Sequence, residues 1–442
     1  MIKNLLINIV LAFLISNAAF AQSADSANAA NSGTQLSVRD IILKVISAYP
    51  SVKEAEEALN AADAKIGLAN SGYYPIVDFK ADYANIGPVP YFSLPGLGSM
   101  NLAPSNNYEI NLGVQQKIYD FGKTGKSVDF EIENKNLSQL SVEQIKQKLS
   151  LTAVASYYAL IYLQEAIYIK EEQLKTLREH LEFIEKKKET GSATQYEILS
   201  TQVKISGIES QKLDIETAKK VQLSYLNSLL GESETAVHSF KKEYTASKLT
   251  FSEDSLITYA VSHRDEINIA REKEKLAKLQ YDVVNSKNNP VLSLFLNGGA
   301  KNGYEPKIED FKADYSFGLM VKVSLFDANV NKNDLLIANS SIRTNSFQTE
   351  IAKRNITNDV IENEANLSTA YKKVEQFALQ LKHAEKALEL AKTSYKAGVI
   401  TNLDLLDAAT AVSESRLYLL KAQTDYNLNI YKLKAAIGER LY

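Results

Sequence analysis

Two aspartates have the most suggestive spacing in the chain. Asp404 and Asp407 lie three residues apart, just after a reversal at Gly398, so a helix starting there sets both carboxylates on one face. The ordinary meaning of such a pair is an acidic first turn that complements the positive end of a helix. Other reactive groups do not converge. His180, His238, His263 and His383 show no HExxH or other paired metal spacing. With no cysteine anywhere, disulfides, thiolate metal sites and thiol nucleophiles are excluded. There is no nucleophile elbow and no phosphate-binding glycine loop, so no enzyme activity, metal or cofactor is expected. A net charge of −3 with no strongly basic tract gives no footprint for nucleic acid, and Lys186-Lys187-Lys188 reads as a solvated helix face.

The elements that position the aspartates are written twice. Tyr108, Leu112, Val114, Asp120, Leu181, Gly191, Thr194, Leu199 and Gly231 recur as Tyr315, Leu319, Val321, Asp327, Leu388, Gly398, Thr401, Leu406 and Gly438, always 207 residues on. Upstream, Pro75 pairs with Pro290 and Ala55 with Ala270 at a spacing of 215, so the first copy holds extra residues between 76 and 107. The expected first repeat spans 37–231, with strands at 76–86 and 108–118 and a helical hairpin at 127–230. The second spans 252–442, with strands at 291–300 and 314–325 and a hairpin at 331–437. Residues 85–107, rich in Pro and Gly, read as loop.

The long helical patterns at 127–189 and 334–396 contain no proline. In the second, Leu367, Val374, Leu381, Leu388 and Tyr395 recur every seven residues, with Ala370, Phe377, Ala384 and Ala391 at plus three. That is a coiled-coil seam whose small residues let helices approach closely. The return helix repeats the device through Leu405, Val412, Leu419, Tyr426 and Leu433.

Residues 1–21 read as a secretory signal: Lys3, an apolar run from Leu5, and Ala19-Phe20-Ala21 before the cut. Residues 22–36 are small and polar and are expected to be disordered. Each strand alternates. Phe79, Ile110, Leu112, Leu294, Phe317 and Leu319 fall on apolar faces that suit lipid, opposed by polar faces. Strands in lipid must close, and about eight is the smallest workable number, so four strands demand an oligomer.

Taken over nearly the whole mature length, the chain resembles the TolC family of outer-membrane efflux and secretion ducts. The matching residues are Tyr49-Pro50, Tyr74-Pro75, Tyr119-Asp120-Phe121-Gly122 and, above all, the stretch from Ser394 through Gly398, Thr401 and Asp404 to Asp407 and Ala408. The resemblance implies a homotrimer: a twelve-stranded outer-membrane barrel, four strands per subunit, above a twelve-helix periplasmic tunnel with a tapered tip. Residues 232–251 would form a belt around the tunnel, and the histidines are expected on the surface or in that belt. Asp404 and Asp407 would line the closed entrance as acidic rings. Like charges some 6 Å apart at an effective dielectric near 20 repel by about 3 kcal/mol, so such rings favour cations or protons. Tyr395, Tyr196 and Glu197 fall where the family bonds neighbouring helix pairs together, and Ile400 replaces an Arg latch of the best-known members. Gly191, Thr194, Gly398 and Thr401 would present the turns met by a periplasmic adaptor.

The expected function is a passive exit duct from an inner-membrane pump, of RND, ABC or MFS type, with partners limited to the adaptor, the pump, outer-membrane lipid and two further copies. A periplasmic coiled-coil scaffold with a soluble β head is the alternative.

Overall fold

A computed structural model describes residues 35–442 apart from 97, 246 and 250. In order, the elements are α1 (Val38–Ala48), α2 (Pro50–Asn70), β1 (Ile76–Asn85), β2 (Tyr91–Leu94), β3 (Gly98–Asn101), β4 (Asn106–Tyr119), α3 (Lys123–Glu189) and α4 (Gln195–Leu230). After a linker come α5 (Glu253–His263), α6 (Asp265–Asn285), β5 (Val291–Lys301), β6 (Lys312–Lys322), α7 (Val330–Lys396) and α8 (Asn402–Ala436). The signal sequence read at 1–21 lies outside the described residues, as does most of the segment 22–36.

The two long helices each run 67 residues, about 100 Å of rod. Each begins four residues earlier than the pattern predicts, because an aspartate three residues before the helix turns the chain. Asp120 accepts from the backbone N–H of Gly122 at 3.1 Å and of Thr124 at 2.9 Å. Asp327 accepts from the N–H of Asn331 at 3.0 Å. The corner residues Phe121, Gly122, Ala328 and Asn329 all have positive φ, so the Tyr-Asp-Phe-Gly motif is a strand-to-helix corner. Every heptad position from Leu367 to Tyr395 is buried or half-buried, and the α8 seam likewise. Hairpin α4 packs on the lower part of α3, where Gln222 bonds Ser156 at 2.8 Å, while α2 lies on its upper part, where Lys135 meets Asp63 at 2.7 Å.

The main sheet has the order β1-β4-β5-β6, all antiparallel. Directly paired residues share a face, and the register carries one apolar row across all four strands: Val77, Val114, Leu296 and Phe317. The next polar row is Asp78, Gly113, Asn297 and Ser316. Gly299 sits where β4 comes closest; a Cβ there would lie 2.0 Å from the Ile110 carbonyl oxygen. Phe79, Ile110, Leu112, Phe317 and Leu319 are all exposed in the single chain, and Leu294 is half-buried. Strands β1 and β6 each keep one edge without a partner strand among the described residues.

Residues 85–107 depart from the expected loop. They hold the hairpin β2–β3, with Tyr91 opposite Asn101 and Phe92 opposite Met100. The prolines at 90 and 95 flank β2 without entering it, so no ladder donor is lost. Strand β6 stops at Lys322, short of 325, leaving Leu325 and Phe326 exposed.

Midway along the rods sits the largest core, where Val38, Ile41, Ile42 and Val45 of α1 pack on Tyr157, Leu160 and Ile161 of α3 and on Leu226 and Leu230 of α4. The linker wraps this core. Leu36 bridges Phe240 in parallel, the Tyr157 hydroxyl donates to the Lys241 carbonyl, and the Tyr426 hydroxyl to that of Ser247 at 2.7 Å. Leu36, the last residue of the segment read as disordered, is thus held in place.

Candidate gate at the hairpin tips

Both hairpins reverse through a glycine in the left-handed region, Gly191 at φ 73° and Gly398 at φ 74°. The closing bonds match: Ser192 N–H donates to Lys187 O at 2.8 Å and Val399 N–H to Ser394 O at 2.9 Å. Thr194 and Thr401 then cap α4 and α8 through their hydroxyls. These four residues occupy the turns, as the repeat spacing requires, with Gly191, Thr194, Gly398 and Thr401 all exposed.

Asp404 completes the cap of α8. Its carboxylate accepts from the Thr401 N–H at 2.9 Å and from the Thr401 hydroxyl at 2.7 Å, while its own N–H donates to that hydroxyl at 3.3 Å. The Thr401 hydroxyl and backbone together hold this carboxyl below the usual carboxylate range. Asp407, one turn on, is exposed and reaches only Lys204 of α4, at 4.0 Å. The pair therefore divides: one acid is spent on the helix end and the other faces outward.

Between the two hairpins the ends of four helices meet. Asn402, 5% exposed, is the hub. Its Nδ2 donates towards the Thr201 hydroxyl at 3.2 Å, the Ser200 hydroxyl at 3.4 Å and the Glu197 carbonyl at 3.4 Å. That orientation leaves its Oδ1 as acceptor, 2.7 Å from His180 Nε2, so the ring nitrogen carries the proton. The Tyr395 hydroxyl donates to Glu197 at 3.3 Å, and its ring meets that of His180 edge-on, centroids 5.5 Å apart. Lys187 Nζ stands 5.0 Å from the Tyr395 ring centroid. Burial, then the charge of Glu197, pushes the Tyr395 hydroxyl up to about 12, so it stays a donor. Tyr395 and Glu197 thus meet across the two hairpins of one chain. Tyr196 does not join them and is 73% exposed, and Ile400 is half-buried beside the turn.

His180 corrects the sequence reading. His263 and His383 are exposed and His238 lies in the linker against Asn227 at 3.0 Å, but His180 belongs to neither the open surface nor the belt. A signal was present. The buried face of α3 runs through Ala166, Lys170, Gln173, Leu177 and Ile184, and position 180 continues it at steps of three and four. Polar residues at seam positions mark specific partners: Gln173 accepts from Ser413 at 2.7 Å, as Asn402 accepts from His180.

The sequence matches the family described as outer membrane efflux protein over residues 42–232 and again over 256–439. This chain belongs to that family. The outer membrane efflux proteins are outer-membrane channels rather than enzymes, and the paired match falls on the two halves of this chain. Among relatives, the outer membrane protein TolC of Vibrio cholerae is 24% identical over 300 residues, covering 66% of this chain and 68% of that one. The alkaline protease secretion protein AprF of Pseudomonas aeruginosa is 22% identical over 330 residues, covering 73% and 67%. Among solved structures, CusC superposes with a TM-score of 0.78 at 17% identity, covering 93% of this chain and 95% of that one. The open state of the MtrE outer membrane channel of Neisseria gonorrhoeae gives 0.75 at 18% identity, covering 91% and 89%. The present chain is thus an outer-membrane efflux channel protein with a long periplasmic helical extension.

Proposed function

We propose that three copies of this efflux protein close a twelve-stranded barrel in the outer membrane above a twelve-helix periplasmic tunnel. The duct conducts passively, receives substrate from an inner-membrane pump of RND, ABC or MFS type through a periplasmic adaptor, and opens at the hairpin tips. The sheet carries this reading. Its apolar face carries exposed residues, with Phe317 at 71% and Leu319 at 66%, and two strand edges lack partner strands among the described residues. In hydrocarbon an open edge leaves backbone groups unsatisfied at several kcal/mol each, so closure by neighbouring subunits is obligatory.

At the tip, threefold symmetry sets Asp407 around the axis, and Asp404, held ionised by its cap, lies one turn nearer the turn. The ring favours cations. The exposed turns at Gly191, Thr194, Gly398 and Thr401 offer the adaptor a surface, and Tyr196 projects beside them. The name of AprF ties that relative to protease secretion, so secretion of protein is within reach of the same architecture.

The test is assembly and conduction. Leu319→Arg places a charge on the lipid face at a cost of about 2–4 kcal/mol near the midplane, and should abolish the trimer and its pore current in planar bilayers. A Leu319→Arg protein that still assembles and conducts like wild type would sink the reading.

A further inference from the structure

The tip contains a half-buried titratable group that the gate as described does not use. His180 hangs from α3 and reaches the first residue of α8, joining the first hairpin to the second. We propose that His180 is a gate-positioning residue: its ring latches the two hairpins through Asn402 and lets go when it takes up a proton. The proposal rests on the channel reading above and adds a trigger to it.

The geometry gives the latch. Asn402 is already committed through Nδ2 to α4, so its Oδ1 is the only part left to engage α3, and His180 Nε2 engages it at 2.7 Å. The Tyr395–Glu197 bond joins α7 to α4, so the two links tie each helix of one hairpin to one of the other. The second copy has no counterpart. Position 387, 207 residues on, is Ala387, and Asn402 answers to the exposed Gln195. The residues of the latch are therefore present at one hairpin junction and not at the repeat-related positions.

The surroundings give the trigger. Facing the ring are Glu179 and Lys187 from α3, Glu197 from α4, and Lys392, Lys396 and the neutral Tyr395 from α7. From α8 comes the positive N-terminal end itself, with Asn402 as its first residue and the carboxylate of Asp404 turned to its cap. Lys187 and the helix N-terminus oppose a cationic ring, and Glu197 favours one. Burial pushes the imidazole below its ordinary value, opposed by the Asn402 bond and Glu197 and assisted by Lys187. Beside the ring lies a cavity of about 350 Å³ whose wall is apolar at Leu177, Phe183, Leu388, Leu405 and Leu406 and charged at Glu179, Lys392 and Lys396. The neutral ring fits the apolar part of that wall, and the charged one does not. When the tip parts, the ring meets water and regains its ordinary affinity for protons. The open state then binds the proton more tightly than the closed one, so acid drives opening.

The experiment records purified full-length protein in planar bilayers from about pH 7.5 down to about 5.5, the range in which an ordinary histidine titrates, and reads His180 as the difference between wild type and variant, because the raised Glu272 carboxyl is common to both. Wild type should open more often as pH falls, by at most about tenfold per pH unit for each subunit. His180→Gln keeps an N–H for Asn402 but cannot titrate, and should show a clearly shallower profile than wild type. His180→Ala should open more often at every pH, with its thermal melt reporting that the fold survives. A His180→Gln channel whose opening climbs with acid as steeply as wild type overturns the proposal and leaves the channel reading standing. Wild-type protein that carries no current at any pH overturns both.

Discussion

The two hairpin tips share a backbone and differ in what their third helical residue does. At the second tip Asp404 folds back onto Thr401 and closes a reciprocal cap. At the first, the equivalent residue is Glu197, whose N–H reaches the Thr194 hydroxyl at 3.3 Å but whose carboxylate turns away to Tyr395. One methylene separates the two side chains. The shorter acid has the reach for its own cap, while the longer one extends to the neighbouring hairpin. Duplication thus supplied two copies of one turn, and side-chain length assigned one to finishing a helix and the other to joining hairpins.

Substitutions can break that contrast. Asn402→Ala removes the hub and leaves His180 Nε2 without its acceptor, while Thr201 keeps only its bond to the Glu197 carbonyl. It should cost about 1–3 kcal/mol in denaturant unfolding, whereas Gln195→Ala, at the matching exposed position, should stay within about 0.5 kcal/mol. Equal losses at the two positions would show that the junction is not built around Asn402. Thr401→Ala should cost about 1–2 kcal/mol and Thr194→Ala less, because only the former dismantles a reciprocal cap. Melting temperatures of the pair check the order. The Asp404 carboxyl is held below its ordinary value, so its share of that cap is present above the unfolded value of 3.8 and fades as pH falls through the folded one.

The halves also diverge at the other end of the rods. Glu272 of α6 lies beside Glu133 of α3, while residue 340, which answers to 133, is a serine. Burial and the Glu133 carboxylate push Glu272 up to about 7, and Glu133 falls to about 2, led by the bond from Glu272. A raised carboxyl stabilises the fold at low pH and loses that contribution as pH rises through 7. Glu272→Gln should therefore raise the melting temperature at pH 8 relative to wild type and leave it nearly unchanged at pH 5. A shift in melting temperature that is the same at both pH values would count against the raised Glu272 carboxyl. The smallest stability effect belongs to Asp407→Asn, whose repeat mate is Ser200. Exposed as it is, it should leave melting unaltered and lower the cation preference of the pore in reversal-potential measurements.

Much of this was legible beforehand because periodicity and punctuation are local. The seam from Leu367 to Tyr395, the turns at Gly191 and Gly398 and the alternation of Phe317 and Leu319 each follow from residues a few positions apart. What escaped depended on distant partners. The hairpin at 91–101 was hidden by prolines that flank its strand instead of interrupting it. His180 was hidden because its partner, Asn402, lies 222 residues away. Asp404 and Asp407 looked alike by spacing, and only the placement of Thr401 and Lys204 separated them.

The order of amino acids alone determined the doubled plan, the rod lengths and which strand faces are apolar, since these need only nearest-neighbour sterics and a fixed repeat. Tertiary structure decided that β4 pairs with β5 across the two halves, and that one polar cluster welds the hairpin tips. Hydrogen bonds between distant side chains depend on angles and separations of a few tenths of an ångström, which packing sets and spacing along the chain does not.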